Sequence, residues 1–300
     1  MGYKNILISS PAQLRIKDQQ LWIQGDYTVS FPMEDINCVM LENRQTMIST
    51  YLLSEFSAYG IAVYFCDEKH TPNSVLLPLV RHSRHFKMLK EQLNLGRPLQ
   101  KRLWQQIIVM KIQNQARCLE ILEKEGAAEL YNLAKQVQSG DRTNCEAQAA
   151  SFYFSKLVSE KFVRRADDYI NAAMDYGYSL IRSLIARTII MYGYEPSIGL
   201  FHHSELNSFN LADDLFEPFR PLVDLYVLKY FYISFDGELT SSDKRILFQI
   251  LNFDMDVEGE HHSINNCIEK LVTSFSSVLN EKRQDLWLPR LIPLQVHRYE

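Results

Sequence analysis

The period of apolar and polar positions changes near residue 70. Before it, short apolar runs dominate. Residues 5–9 form one; Leu14 and Ile16 alternate, and Leu21 and Ile23 follow Lys17-Asp18-Gln19, a spacing that predicts a hairpin. Residues 28–31, 36–41 and 61–66 read as further strands. Residues 47–59 break the pattern, because Ile48, Leu52, Leu53 and Phe56 recur at helical spacing and Gly60 supplies a stop. The breaker cluster Thr71-Pro72-Asn73-Ser74 marks a boundary. Beyond it the period is helical, over 81–94, 99–125, 127–139, 143–166, 167–192, 211–232, 241–251 and 263–279. Residues 193–210 are less regular. Pro218 and Pro221 disturb the early turns of 211–232, each removing a backbone donor. The tail, 288–300, reads as extended. The pattern predicts an α+β chain: a small β domain at 1–72, a linker at 73–82, and a larger all-α domain at 83–300.

Composition narrows the class. With 46% hydrophobic and 23% charged residues the chain is globular rather than disordered. The most apolar stretch, 221–235, is broken by Asp224 and Lys229, which argues against a membrane span. The N-terminus lacks a signal-peptide layout. Five scattered cysteines without a CxxC pair fit a reducing compartment, with neither disulfides nor structural zinc. A cytoplasmic protein is expected. Both nucleotide-binding glycine loops are absent, as are HExxH and GxSxG.

The net charge of −4 does not by itself point to nucleic acid, but its distribution does. Residues 81–117 carry nine Lys or Arg against one acid, Glu91, while 203–262 carry twelve acids against four bases. Arg81, Arg84, Lys87 and Lys90 recur every three residues, so on a helix they form a slowly winding stripe that can follow phosphates. Lys156, Lys161, Arg164 and Arg165 could extend such a track. The competing reading is a solvated helix face.

Three places could do chemistry, and each has a plainer reading. Glu146 ends Thr143-x-x-Glu146, which spells a capping box. The alanines after it, Ala147, Ala149 and Ala150, would let another element approach closely. His202 follows Gly199-Leu200-Phe201 in a loop, where many histidines are merely packed. On a helix Asp214 and Glu217 share a face, as do Asp213 and Glu217; they could decorate a helix N-terminus, or a cation between the carboxylates could relieve their repulsion.

Together these pieces resemble the CRISPR-associated adaptation integrase family. The resemblance rests on Glu146-Ala147 with its alanine-rich helix and on Tyr192-Gly193-Tyr194-x-Pro196-x-x-Gly199-x-x-His202. It rests also on Phe209-x-Leu211-Ala212-Asp213-Asp214-Leu215-x-Glu217-x-x-Arg220-Pro221, and on Asn171-Ala172-Ala173 with Tyr176-Gly177-Tyr178. The Asn210-to-Leu215 stretch looks most like the type II branch. The resemblance implies a β-sandwich that dimerises, joined to a helical catalytic domain. It implies Glu146, His202 and Glu217 as ligands of Mg2+ or Mn2+, with Asp214 close behind them; His203 competes with His202 for its role. It implies a homodimer, a small ferredoxin-like adaptation partner, other type II adaptation proteins, and double-stranded DNA, both captured fragment and CRISPR repeat. The reaction implied joins 3′-hydroxyl ends into the repeat by transesterification, which needs no Ser, Tyr or Cys nucleophile. A free-standing metal-dependent nuclease for branched DNA, a non-catalytic DNA-binding scaffold and a mobile-element integrase stay open.

Overall fold

A computed structural model of the chain describes residues 2–68, 72–76, 84–164, 166–231 and 237–298. Two compact units divide it: Met1–Val80 with Leu239–Gln249, and Arg81–Glu238 with Ile250–Glu300. Residues 239–249, expected in the helical domain, therefore group with the first unit. Among the described residues no helix is long and apolar enough to cross a membrane.

The first unit holds β1 (Lys4–Ile8), β2 (Gln13–Lys17), β3 (Gln20–Gln24), β4 (Thr28–Pro32), β5 (Ile36–Leu41), β6 (Met47–Ile48), α1 (Thr50–Tyr59), β7 (Ala62–Cys66) and β8 (Pro72–Leu76). One four-stranded sheet runs β1-β5-β7-β8 and the other β4-β3-β2-β6. The hairpin expected at Lys17-Asp18-Gln19 forms between β2 and β3, pairing Leu14 with Ile23 and Ile16 with Leu21. Asp18 and Gln19 both take positive φ, the geometry of a two-residue hairpin turn. β5 lies between two parallel neighbours and is buried at all six positions, so it reads as a continuous apolar run. Both sheets and α1 feed one apolar cluster, including Ile6, Leu14, Leu21, Val39, Leu52, Phe56 and Val63. The helix starts later than its apolar spacing suggests. Met47 and Ile48 pair with β2, and Ser49 then caps α1 by accepting from the Leu52 amide.

The second unit holds α2 (His85–Leu93), α3 (Arg97–Ile121), α4 (Ala127–Gln136), α5 (Cys145–Leu157), α6 (Tyr169–Met191), α7 (Asn210–Phe216) and α8 (Arg220–Tyr230). After α9 (Ser241–Phe248), which belongs to the first unit, come β9 (Asp254–Val257), β10 (Glu260–Ser263) and α10 (Ile264–Leu279). The expectation of an all-α domain is thus corrected by the β9–β10 hairpin. Glu258 and Gly259 take positive φ at its turn, and the acidic strand sequence around them hid it from an apolar-period reading. α3 is buried around most of its middle, with Leu103, Trp104, Ile107, Ile108, Ile112 and Leu119 in the core. The single helix expected over 211–232 is interrupted: a 3-10 turn, Glu217–Phe219, separates α7 from α8. Pro218 lacks the amide that would continue the α ladder. The carboxamide of Asn114 on α3 fixes the break. It donates to the Pro218 carbonyl (2.8 Å) and the Pro289 carbonyl (2.9 Å), and accepts from the Leu291 amide (2.9 Å).

α6 passes close to α8 at Gly177, where an added Cβ would lie 2.6 Å from Val223 Cγ1. Gly177→Ala should therefore cost about 1–3 kcal/mol in urea denaturation, and Val223→Ala in the same chain should recover part of it. Strictly additive losses would mean that the two helices do not meet there.

Candidate active site

Glu146 sits in the first turn of α5, but it does not cap that helix. The Asp141 carboxylate does so, accepting from the Cys145 amide (2.8 Å) and the Glu146 amide (3.0 Å). Asn144, at the N-cap, has φ 53° and makes no side-chain cap. The Thr143-x-x-Glu146 pattern therefore forms no capping box. The freed Glu146 carboxylate accepts from Lys111 Nζ at 2.6 Å.

His202 is positioned from behind by Asp214. That carboxylate is fully buried and accepts from the backbone amides of Leu200 (2.5 Å), Phe201 (3.0 Å) and His202 (3.3 Å), and it contacts His202 Nδ1 at 2.6 Å. The loop wraps so closely that a Cβ on Gly199 would lie 2.8 Å from Asp214 Oδ2 and 2.3 Å from the His202 carbonyl. The hydrogen bond to Asp214 raises the imidazole pKa above its ordinary value, with burial opposing. Since Nδ1 is committed to Asp214, Nε2 is the ring atom left for other partners. His203 is exposed and makes no such bond among the described residues.

Glu217 occupies the break between α7 and α8 and is 3% exposed. Lys111 Nζ lies 2.5 Å from its Oε2, and Arg220 Nε lies 2.9 Å from the same oxygen. Burial alone would raise this carboxyl; Arg220 and Lys111 overcome it and hold it at about 2. Lys111 thus bridges Glu146 and Glu217, two acids from separate helices. The Arg220 guanidinium also lies over the rings of Tyr178 (4.9 Å) and Phe216 (4.8 Å), which fixes its plane.

One cavity of about 450 Å³ is lined by Lys111, Glu146, His202, Glu217 and Arg220, together with Arg164, Tyr178 and Asp224. Asp224 is buried and accepts from Tyr153 Oη (3.0 Å) and from Tyr178 Oη. Burial pushes it up to about 6, against the pull of Tyr178, Arg164, Tyr153 and Arg220.

The proposed DNA contacts divide. Arg81 and Arg165 lie outside the described residues. α2 begins at His85, so Arg84 stands at its cap and only Lys87 and Lys90 ride on the helix. Both lysines are exposed; Lys87 pairs with Glu91 at 3.5 Å, and Lys90 lies over the Phe86 ring at 4.5 Å. Lys156 and Lys161 are exposed. Arg164 turns inward: it bonds Asn171 Oδ1 at 2.6 Å, pairs with Asp175 and lines the cavity. Lys111 was counted from sequence as part of a basic face, yet it is buried inside the site. Its one signal was position, since it lies among Ile107, Ile108 and Ile112 on an apolar stretch. Asp224 carried the same kind of mark, as a charge within the apolar stretch 221–235, and Tyr178 stood in the Tyr176-Gly177-Tyr178 motif, but neither was assigned to the site. Among the described residues no group of three or more His, Cys, Asp or Glu side chains is gathered closely enough to hold a metal ion as it stands.

These features define a two-unit α+β protein whose helical half carries a charged, acid- and imidazole-lined cavity instead of a nucleotide loop or a nucleophile triad. The chain belongs to the CRISPR associated protein Cas1 family, whose model matches residues 6–234. It is 42% identical over 306 residues to a CRISPR-associated endonuclease Cas1 from Neisseria meningitidis serogroup C, with both chains covered completely. Its fold matches a casposase bound to integration product (TM-score 0.76, 19% identity, 94% of this chain and 92% of that one). It also matches a Cas6-RT-Cas1–Cas2 complex (TM-score 0.70, 15% identity, 95% of this chain and 36% of that one).

Asp224 gives the site a pH signature. Its folded pKa, about 6, lies above the ordinary 3.8, so between those values the folded chain keeps a proton that the unfolded chain loses. Stability from this group is present below about pH 4 and is lost as pH rises through about 6. Relative to Asp224→Asn, the wild type should therefore lose stability over that window, read as the difference between their melting temperatures. A constant difference from pH 4 to pH 7 would place the carboxyl in a wetter setting than the structure describes.

Proposed function

We propose that the chain is a metal-dependent DNA integrase and endonuclease of CRISPR adaptation, joining 3′-hydroxyl ends of captured DNA into a CRISPR repeat. The observation that carries this reading is the convergence of Glu146, His202 and Glu217 on one cavity with a cation already bridging the two acids. Family membership supports the reading, as do a full-length relative named an endonuclease and a shared fold with a casposase captured on its product. A homodimer built through a β-sandwich first unit, a small ferredoxin-like partner and other type II adaptation proteins belong to the same proposal; the Cas1–Cas2 complex of similar fold favours the second.

The donor set suits Mg2+ or Mn2+: two carboxylates and one imidazole, with Lys111 showing that positive charge is favoured between the acids. Such an ion would be held by Glu146, His202 and Glu217, and when bound it would lower the pKa of an attacking hydroxyl and offset charge on the phosphate. The chain's own groups do the rest. Asp214 holds the His202 ring by Nδ1, so that Nε2 is presented in one orientation. Arg220, held between Tyr178, Phe216 and Glu217, would offer a fixed positive charge to a phosphate bound in the cavity. In the exchange the 3′-oxygen bonds to phosphorus as the strand's own bridging P–O bond breaks; the attacking hydroxyl loses a proton and the departing 3′-oxygen takes one up. With water in place of the 3′-hydroxyl the same groups would cut branched DNA, which is the second reading.

Glu146→Ala, His202→Ala and Glu217→Ala should each reduce joining of a 3′-hydroxyl duplex to a repeat-bearing plasmid by at least a hundredfold, with duplex binding retained. Mn2+ and Mg2+ should support joining and excess chelator should stop it. Full activity of all three variants, or in chelator, would overturn the site. If His203→Ala is inactive and His202→Ala is not, the ligand is the neighbour.

Lys111 offers a separate check. The ammonium competes with any divalent ion for the same two carboxylates, so Lys111→Met should bind Mn2+ about tenfold more tightly in calorimetry without DNA, equivalent to ~1.4 kcal/mol. It should also melt lower without metal and gain more on adding it, because two acids are left facing each other. Weaker Mn2+ binding would mean that Lys111 orders the ligands instead of competing.

A further inference from the structure

α3 carries two neighbouring amide side chains with opposite surroundings. Asn114 is fully buried and makes three hydrogen bonds, to the Pro218 and Pro289 carbonyls and from the Leu291 amide. Gln92 on α2, 3% exposed, also makes three: it donates to the Glu195 and Ile198 carbonyls and accepts from the Glu195 amide. Gln115 is as buried as Gln92, yet its Oε1 is shut away from water with no hydrogen-bond partner among the described residues. Burying a carbonyl without a partner costs free energy that an apolar side chain of the same length would not, and such orphans are few in folded proteins.

The place of Gln115 in the fold says what the oxygen is for. It lies one turn beyond Lys111 on the same face of α3 and lines the cavity shared with Glu146, His202 and Glu217. The donors on that wall are turned to other acceptors: Lys111 to Glu146 and Glu217, Arg220 to Glu217, Arg164 to Asn171 and Asp175, Tyr178 to Asp224. The partner that Oε1 lacks therefore comes from outside the chain, and it must carry a hydrogen. A phosphodiester has none to give. A divalent ion is better served by the two carboxylates than by a neutral amide. A hydroxyl has both a hydrogen for Oε1 and a lone pair for phosphorus.

We propose that Gln115 accepts a hydrogen bond from the attacking hydroxyl and aims its oxygen at the phosphate. The terminal amide turns about a soft torsion, so Oε1 can swing from its buried setting to the hydroxyl as the strand enters. The amide takes no proton, being too weak a base; it fixes orientation, and the bonds made and broken in the exchange are unchanged. A neutral glutamine that orients an attacking water plays the same part in other phosphoryl transfers. The role rests on the integrase reading and adds to it a residue that binds neither metal nor phosphate.

Gln115→Met keeps the length of the side chain and removes the amide. Single-turnover joining of a saturating 3′-hydroxyl duplex, with Mn2+ in excess, should fall about a hundredfold, the cost of a misaligned nucleophile, while duplex affinity and Mn2+ affinity in calorimetry stay within about twofold. The same variant should melt about 2 °C or more above wild type, because the unpartnered carbonyl is gone. Gln115→Glu, which keeps an acceptor and gives up the N–H, should join about tenfold faster than the methionine variant. Wild-type joining by the methionine variant, or a lower melting temperature, would overturn the role. So would an about tenfold loss of Mn2+ affinity, which makes the side chain a metal ligand. A glutamate variant that melts normally and joins no faster than methionine would overturn it too, since the N–H is then the working group. A wild type that joins no DNA would overturn the integrase reading and this role together, whereas each result above removes the role alone.

Discussion

Burying the Lys111 ammonium on α3 is tolerable only where anionic groups surround it, and two segments far away in sequence supply them. Glu146 arrives from the start of α5 and Glu217 from the break between α7 and α8. The dependence is mutual. Glu217 is almost entirely removed from water and stays ionised because Lys111 and Arg220 flank it. Removing one member of such a group strands the others, which is costlier than never having buried them. The geometry of the cavity therefore follows from one requirement for charge balance across three helices.

Around that centre the site's side chains and their helix ends are held by further polar contacts. Asp141 caps α5, so Glu146 need not. Asp214 gathers three consecutive amides and the imidazole of the His202 loop, and Gly199 is small enough to let the loop close on it. Asn114, one turn beyond Lys111, fastens the Pro218 carbonyl and the C-terminal segment together. α3 thus supplies both the cation of the site and the bolt behind one of its carboxylates. A buried network of this kind is rigid only when every member is satisfied, which is why so many polar groups here have several partners.

Low identity to solved relatives of the same fold puts these devices in context. At 15–19% identity the fold is still shared. In this chain helix ends meet at one cavity, and chemistry by positioned charges depends on where the groups stand. A second cavity, lined by Arg97, Lys101, Trp104 and Phe201, is built on the same α3, about two to four turns before Lys111, so one helix sets the spacing between the two.

The sequence disclosed the change from strand to helix period near residue 70, the hairpin at Lys17-Asp18-Gln19, and the three motifs whose side chains share the cavity. Those are local matters: period, turn chemistry and spacing act over a few residues. It misread what depends on distant partners. Lys111 looked like one more surface cation, since nothing within a few residues announces two acids 35 and 106 positions away. Glu146 looked like half of a capping box, because the preceding Asp141 had to be seen folded over the helix start. The β9–β10 hairpin was hidden by acids at its strand positions, and residues 239–249 joined the first unit through contacts with no local trace. Only the tertiary structure decided which charges were buried, because burial and its compensation are properties of groups brought together from across the chain.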